Sequence, residues 1–133
     1  QHGLIVYSSS WYNLPLDAGV MGQFSADEHR FGIHAGDIET SMMLALSPAS
    51  VNMAEAQNFA STSQDRAKHY AVLGNGKSAK LGWHMQDYNP QGAAGNAAAA
   101  TAAKGEALVR SAGEQLALLL KELVALPLTT VCV

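Results

Sequence analysis

The chain is poor in cysteine, in charge and in long apolar runs, and each shortage excludes a class of protein. Its single cysteine, Cys132, cannot form an internal disulfide, which favours a reducing compartment. Only 14% of the residues are charged, with a net charge of -3, so no nucleic-acid interface is expected. The longest apolar helical stretch, near 116–126, contains Lys121 and Glu122 and is too short to cross a bilayer. We expect a cytoplasmic protein that binds neither nucleic acid nor membranes.

What remains is the composition of a folded globular protein. With 133 residues and 48% hydrophobic side chains, the chain is long enough and apolar enough to bury a core. No repeat, heptad pattern or linker divides it, so we expect residues 1–133 to form one domain or half of one. The chain begins with Gln1 rather than Met, which indicates processing or excision from a longer protein.

Short apolar runs alternate with helical patterns, which favours the α/β class. The run Leu4–Tyr7 predicts a buried strand, followed by small polar residues at an edge where open α/β folds bind ligands. The segments 70–73 and 80–85 predict a hairpin closed by the turn at 74–76. Segment 13–30, which contains proline and glycine, is predicted mostly as loop.

Two helices are the clearest elements of the sequence. One begins near His34–Asp37 and continues to Leu46, because its apolar residues recur at a spacing of four. The other runs from about 97 to 126, opens on an alanine run and has Asn96 as its expected N-cap. Glycines at 105 and 113 lie inside this second helix and indicate close packing against a neighbouring element.

The stretch 34–41 places chemically active side chains at the junction between a loop and the first of these helices. His34, Asp37 and Glu39 bring an imidazole and two carboxylates within six residues. A neutral imidazole is a base or a metal ligand, and carboxylate oxygens suit divalent cations. From the residues alone, two interpretations stay open. One is a site for metal binding or proton transfer, and the other is an ordinary helix N-terminus with a structural histidine.

The same stretch, within GIHAGDIETSMMLAL, closely resembles the signature of the creatininase family, HAG-E-x-ETS followed by small and apolar helix residues. Asp37 stands where that family usually has Glu. A glycine-rich loop leading into Ala100–Gly105 resembles the family's A-T-A-x-K-G helix, and the early strand with Ser10 and Trp11 matches more weakly. The resemblance covers residues from about 3 to 126.

One acidic position of the family pattern is missing. The family often has an Asp two or three residues before the signature histidine, where this chain has Gly32 and Phe31. The resemblance therefore leaves open whether Asp27 or Glu28 takes over that acidic role.

The resemblance implies a three-layer α/β/α creatininase-like fold, of which this chain supplies the C-terminal part. It also implies metal-dependent hydrolysis of a small linear or cyclic amide. His34 corresponds to the catalytic histidine, and Glu39 to a proton-network residue or metal ligand. Trp11, with Tyr12, is placed near the substrate entrance.

The resemblance further implies two divalent metals per site, zinc, manganese or iron, and a homo-oligomer that is commonly a hexamer. Most of the family's metal ligands lie in an earlier segment whose motifs are not found here in full. An N-terminal half or a companion chain is therefore expected to complete the site, and this chain alone is not expected to be active. The alternative is a non-catalytic binding or scaffolding subunit of degenerate creatininase fold.

Overall fold

The structure, a computed structural model, describes residues 4–130, so Cys132 lies outside the described residues. The helices are α1 (Ala18–Met21), α2 (Ala26–Phe31), α3 (Asp37–Leu46), α4 (Thr62–His69) and α5 (Ala102–Ala125). An antiparallel pair of short strands joins β1 (Asn58–Phe59) to β2 (Gly95–Asn96). Single 3-10 turns lie at Trp11–Asn13, Pro48–Ser50, Met53–Glu55, Leu73–Asn75, Met85–Asp87, Ala97–Ala99 and Leu128–Thr130. None of the helices in this range combines the length and apolar character that a bilayer crossing requires.

The two predicted helices are confirmed as α3 and α5. Helix α3 begins after Gly36 and ends at Leu46, just before Pro48, which cannot continue a helix. Helix α5 begins later than predicted, because Asn96 belongs to β2 and Ala97–Ala99 forms a separate 3-10 turn. Its N-cap is Thr101, whose side chain accepts the backbone N–H of Lys104 at 3.3 Å.

Helices α3 and α5 pack against each other with almost no space between their backbones. A Cβ atom on Gly105 would lie 1.9 Å from the carbonyl oxygen of Ser41, so only glycine fits at this crossing. Ser41 and Leu108 are fully buried there. The Ser41 hydroxyl donates to Asp37 Oδ1 at 3.1 Å and accepts the N–H of Thr101 at 3.1 Å. The start of α5 is thereby bonded to the second turn of α3.

A part-buried ion pair secures the same crossing. The Lys104 ammonium lies 2.7 Å from Asp37 Oδ2 and also donates to the carbonyl oxygen of Ala99 at 2.9 Å. The Asp37 side chain is 5% exposed and the Lys104 side chain 20%. Because both charged groups have further hydrogen-bond partners, the pair fixes the geometry of the crossing as well as contributing Coulomb energy.

The carboxylate of Glu28, at 6% exposure, connects three separate segments. Its Oε1 accepts the N–H of Ile38 in the first turn of α3 at 3.2 Å, and its Oε2 accepts the N–H of Asn96 in β2 at 3.0 Å. Within residues 4–130 no basic side chain forms a salt bridge with it. Backbone N–H groups and the positive end of the α3 dipole therefore stabilise the buried charge.

Glycines make room for this carboxylate. A Cβ on Gly36 would lie 2.2 Å from Glu28 Oε1, and one on Gly95 would lie 2.9 Å from Oε2. A Cβ on Gly32 would lie 2.9 Å from the carboxyl carbon. Any side chain at these positions would displace the Glu28 carboxylate from the backbone N–H groups that donate hydrogen bonds to it.

Several sequence-based expectations about strands and loops are wrong. Leu4–Tyr7 forms no strand, and Leu4, Val6 and Tyr7 are 71%, 85% and 59% exposed. A buried strand needs hydrogen-bonding neighbours, and no described residue pairs with this segment. Segment 13–30 contains α1 and α2 rather than being mostly loop.

The predicted hairpin at 70–85 is also wrong. This segment contains 3-10 turns at Leu73–Asn75 and Met85–Asp87 and no strand among its residues. Gly76 does adopt a left-handed conformation, at φ 70°, but the chain beyond it does not return along the first segment as a strand. The expected close packing at Gly113 is wrong too, since a Cβ there would meet nothing within 4 Å.

The two interior glycines of α5 make a matched pair for a stability measurement. Gly105→Ala inserts a methyl group into the backbone of α3 and should lower the free energy of unfolding by about 2 kcal/mol or more. Gly113→Ala removes backbone entropy from an open helix position and should raise it by up to about 1 kcal/mol. Urea unfolding followed by circular dichroism measures both, and equal effects of the two substitutions would contradict the close crossing.

Glu28 and its neighbour Asp27 provide a second matched pair. Glu28→Gln places an amide NH₂ against one of two backbone donors and should cost about 2 kcal/mol of unfolding free energy. Asp27→Asn changes an exposed residue of the same helical turn and should cost no more than about 0.5 kcal/mol. If chemical denaturation gave the same midpoint for both variants, the Glu28 carboxylate would not hold these segments together.

Candidate functional site

The backbone around His34 is fixed on one side by a bridge and on the other by a sharp turn. His34 pairs with Ala94, whose N–H donates to the His34 carbonyl oxygen at 2.8 Å. Ala35 then adopts φ 53°, a left-handed conformation that costs a non-glycine residue about 1 kcal/mol. This turn directs the chain straight into α3. The junction between loop and helix is therefore sharp, which a His34–Glu39 contact requires.

His34 and Glu39 face each other across that turn. His34 Nδ1 lies 3.4 Å from Glu39 Oε2, which is long for a hydrogen bond but close enough for an ion pair when the imidazole is protonated. Glu39 Oε2 also accepts the N–H of Ala35 at 2.5 Å, and the Thr40 hydroxyl donates to the Ala35 carbonyl oxygen at 3.3 Å. The turn thus holds the carboxylate beside Nδ1 and leaves Nε2 as the ring nitrogen for another partner.

Two clefts meet at this pair. One, of about 510 Å³, combines His34 and Glu39 with Trp11 and a mostly apolar wall. That wall is formed by the side chains of Met42, Met43, Leu46 and Val51. The other cleft, of about 340 Å³, contains Trp11, Tyr12, His34 and Glu39. All four side chains predicted to form the site therefore line one continuous region of the surface.

The aromatic side chains of this region come from the 3-10 turn Trp11–Asn13. Trp11 and Tyr12 pack edge to face, with ring centroids 5.8 Å apart and an interplanar angle of 82°. Tyr12 is 66% exposed, so most of its ring is open to a ligand or to another segment. An imidazole and a carboxylate beside partly exposed aromatic rings are suited to a small organic molecule rather than to a bare ion.

Of the two acidic candidates that precede the signature, only Glu28 reaches the candidate site. Glu28 lines the cleft of about 340 Å³ together with His34 and Glu39, whereas Asp27 does not; both residues line a separate cleft of about 110 Å³. Both oxygens of Glu28 already accept backbone N–H groups, so its evident role is to position the site. Sequence reasoning missed this role, and the one signal for it was the group of glycines at 32, 36 and 95.

A metal site cannot be assembled from the described residues alone. His34 and Glu39 offer two donors, and within residues 4–130 no three His, Cys, Asp or Glu side chains lie close enough together to hold an ion. Zinc sites in enzymes use three protein ligands. The predicted role of Glu39 as a ligand therefore requires donors from outside this range.

Comparisons with known proteins match the region that contains these residues. The profile of the Creatininase family, described as creatinine amidohydrolase, matches residues 5–120. Among solved structures, a Bacteroides fragilis NCTC 9343 protein named "Putative creatinine amidohydrolase" matches with a TM-score of 0.64 and 33% identity. The match covers 86% of this chain and 41% of that one, so the chain spans about two fifths of its length. No curated protein matches at a significant level.

These matches confirm the predicted α/β class and creatininase-like fold, even though the described residues are mostly helical. The profile match includes both the histidine signature on α3 and the Lys104–Gly105 segment of α5, which the structure brings into direct contact. This chain belongs to the creatininase family.

Proposed function

We propose that this chain contributes His34 and Glu39 to a metal-dependent amidohydrolase that cleaves the carbon–nitrogen bond of a small linear or cyclic amide. Family membership supports the hydrolase class. The convergence of His34, Glu39 and Trp11 on the same two clefts carries the proposal to these residues. The chain matches 41% of its structural relative, which supports the proposal that the complete activity needs more residues than these.

In this proposal His34 moves a proton and Glu39 positions it. An amide nitrogen leaves poorly unless it is protonated, and an imidazolium beside it can supply that proton. The Glu39 carboxylate, held by the Ala35 N–H, stabilises the imidazolium through Nδ1 and orients Nε2 toward the cleft. Proton transfer of this kind contributes roughly 10²–10⁴-fold to enzymatic rates.

Trp11 and Tyr12 would bind the substrate. Their rings stand at the opening that also contains His34, and an amide or a small lactam ring is planar enough to pack on them. The apolar wall of the larger cleft would exclude water from the carbon–nitrogen bond once a substrate is bound.

The remaining parts of the site would come from an N-terminal half or a companion chain. Creatininases are generally metal-dependent, and bound zinc, manganese or iron would supply an activated water. Glu39 would be the ligand contributed by this chain. The exposed Leu4, Val6 and Tyr7 offer apolar surface to such a segment, and we propose a homo-oligomer, a hexamer by resemblance, as the assembly.

A second candidate is a non-catalytic binding or scaffolding subunit. The observation that favours it is the shortage of metal donors, since residues 4–130 contain no group of three metal-ligating side chains. In that case the fold would be retained for assembly rather than for chemistry.

His34 and His84 distinguish these two functions. In the assembled protein, His34→Gln should lower kcat/KM for amide hydrolysis at least about 100-fold, because the proton donor is lost. His84→Gln is the control, since His84 is also exposed beside a carboxylate, 3.8 Å from Asp87, and should keep kcat/KM within about twofold. Assembly should survive both changes. Full turnover in His34→Gln would contradict the catalytic role, and an assembly that binds metal but hydrolyses no amide would favour the scaffold.

Metal content tests the incomplete donor set. Elemental mass spectrometry of the assembled protein should find at least one zinc, manganese or iron per chain, and this chain alone should retain none. Glu39→Gln should reduce the metal content of the assembly if Glu39 is a ligand. An unchanged metal content with lost turnover would instead assign Glu39 to the proton network.

A further inference from the structure

A separate cleft, of about 270 Å³, lies between the end of α2, helix α4 and the irregular segment 73–83. Three of the chain's eight basic residues line it, namely Arg30, Arg66 and Lys80. None of the described residues that line it is acidic, although the chain carries a net charge of -3. This cleft therefore concentrates positive charge in a protein whose net charge is negative.

The cations of this cleft are held in place without being neutralised. The Arg66 guanidinium donates to the Thr62 hydroxyl at 3.0 Å and lies 5.2 Å from the centroid of the Tyr88 ring. Arg30 lies 4.8 Å over the ring of Phe31, and Lys80 donates to the Gly76 carbonyl oxygen at 2.8 Å. Within the described residues none of the three forms a salt bridge. Such fixed cations attract an anion at little cost in side-chain entropy.

An aromatic wall adjoins these cations. Trp83 and Tyr88 pack edge to face, with ring centroids 5.3 Å apart and an interplanar angle of 78°. Trp83 is 49% exposed, so part of the indole is open in the cleft that Arg66 also lines. Tyr88 connects the two kinds of surface, because it contacts Trp83 and also supports the Arg66 guanidinium.

We propose that this cleft binds a small organic anion in which a carboxylate or phosphate is attached to one aromatic ring. The ring packs against Trp83, and the anionic group accepts charge-assisted hydrogen bonds from Arg66, Arg30 and Lys80. A volume of about 270 Å³ is small for a ligand pocket, which limits the ligand to about one ring with its acidic group. Ile33 lines both this cleft and the smaller cleft at His34, so the two sites are neighbours with separate chemistry.

Phenyl phosphate tests the proposal directly. The chain has two tryptophans, so Trp11→Phe leaves Trp83 as the single tryptophan fluorophore of this chain. Titration with phenyl phosphate should shift the Trp83 emission in a saturable way. Phenol, which lacks the charge, and inorganic phosphate, which lacks the ring, should each bind at least about tenfold more weakly, because each loses one of two contributions.

Two positions on α4 provide the matched controls in the same background. Arg66→Gln should weaken phenyl phosphate at least about tenfold, since a charge-assisted hydrogen bond is lost. Lys68→Gln removes the same charge from a lysine that lies outside the cleft and pairs with Asp65 at 3.0 Å, and it should leave the affinity within about twofold. Lys80→Gln, at an exposed position of the irregular segment, should also weaken binding and guards against a folding defect in Arg66→Gln.

Three results would overturn the proposal. They are no saturable change with phenyl phosphate, equal losses in Arg66→Gln and Lys68→Gln, and inorganic phosphate binding as tightly as phenyl phosphate. Because the readout is binding at Trp83 and not turnover, its failure is distinguishable from failure of the amidohydrolase proposal.

Discussion

The buried carboxylate of Glu28 is the interaction on which the candidate site depends. It bonds the first turn of α3 to strand β2, and those two segments carry the residues on either side of His34. His34 is bridged to Ala94, next to Gly95, and is followed two residues later by Gly36. Both glycines lie against the Glu28 carboxylate. A charge that is expensive to bury therefore fixes the backbone of the candidate site, with N–H groups rather than a cation as its partners.

The two segments that carry the family resemblance, 34–41 and Ala100–Gly105, pack directly against each other. On α3, Asp37 and Ser41 are buried and bond to Lys104 and Thr101 at the start of α5. Glu39, on another face of the same helix, is turned to the cleft. Residues four apart share a face of a helix, so Asp37 and Ser41 pack against α5 while Glu39 lines the cleft. Both carboxylate oxygens of Asp37 are bonded at the crossing of the helices, one to Ser41 and the other to Lys104.

The sequence alone predicts α3 and α5, because the spacing of their apolar residues and the prolines that follow them are local signals. It was sufficient to propose His34 and Glu39, but their contact requires the left-handed turn at Ala35, which no pattern predicts because alanine rarely adopts it. Leu4–Tyr7 has the composition of a strand, yet a strand exists only where a neighbour pairs with it. Glu28 was overlooked as an anchor because acidic side chains are normally solvated, and its burial depends on glycines far apart in the chain.

That distance along the chain has a consequence for biosynthesis. Glu28 and Asn96 are separated by 68 residues, and Asp37 and Lys104 by 67. At a ribosomal rate of roughly 5–20 residues per second, about 3–14 s pass between the synthesis of Glu28 and that of its partner in β2. During that interval Glu28 can already bond the start of α3, but its partner in β2 and the α5 helix that covers α3 have not yet been synthesised. The backbone around His34 therefore reaches its final geometry only after β2 and the start of α5 have been synthesised.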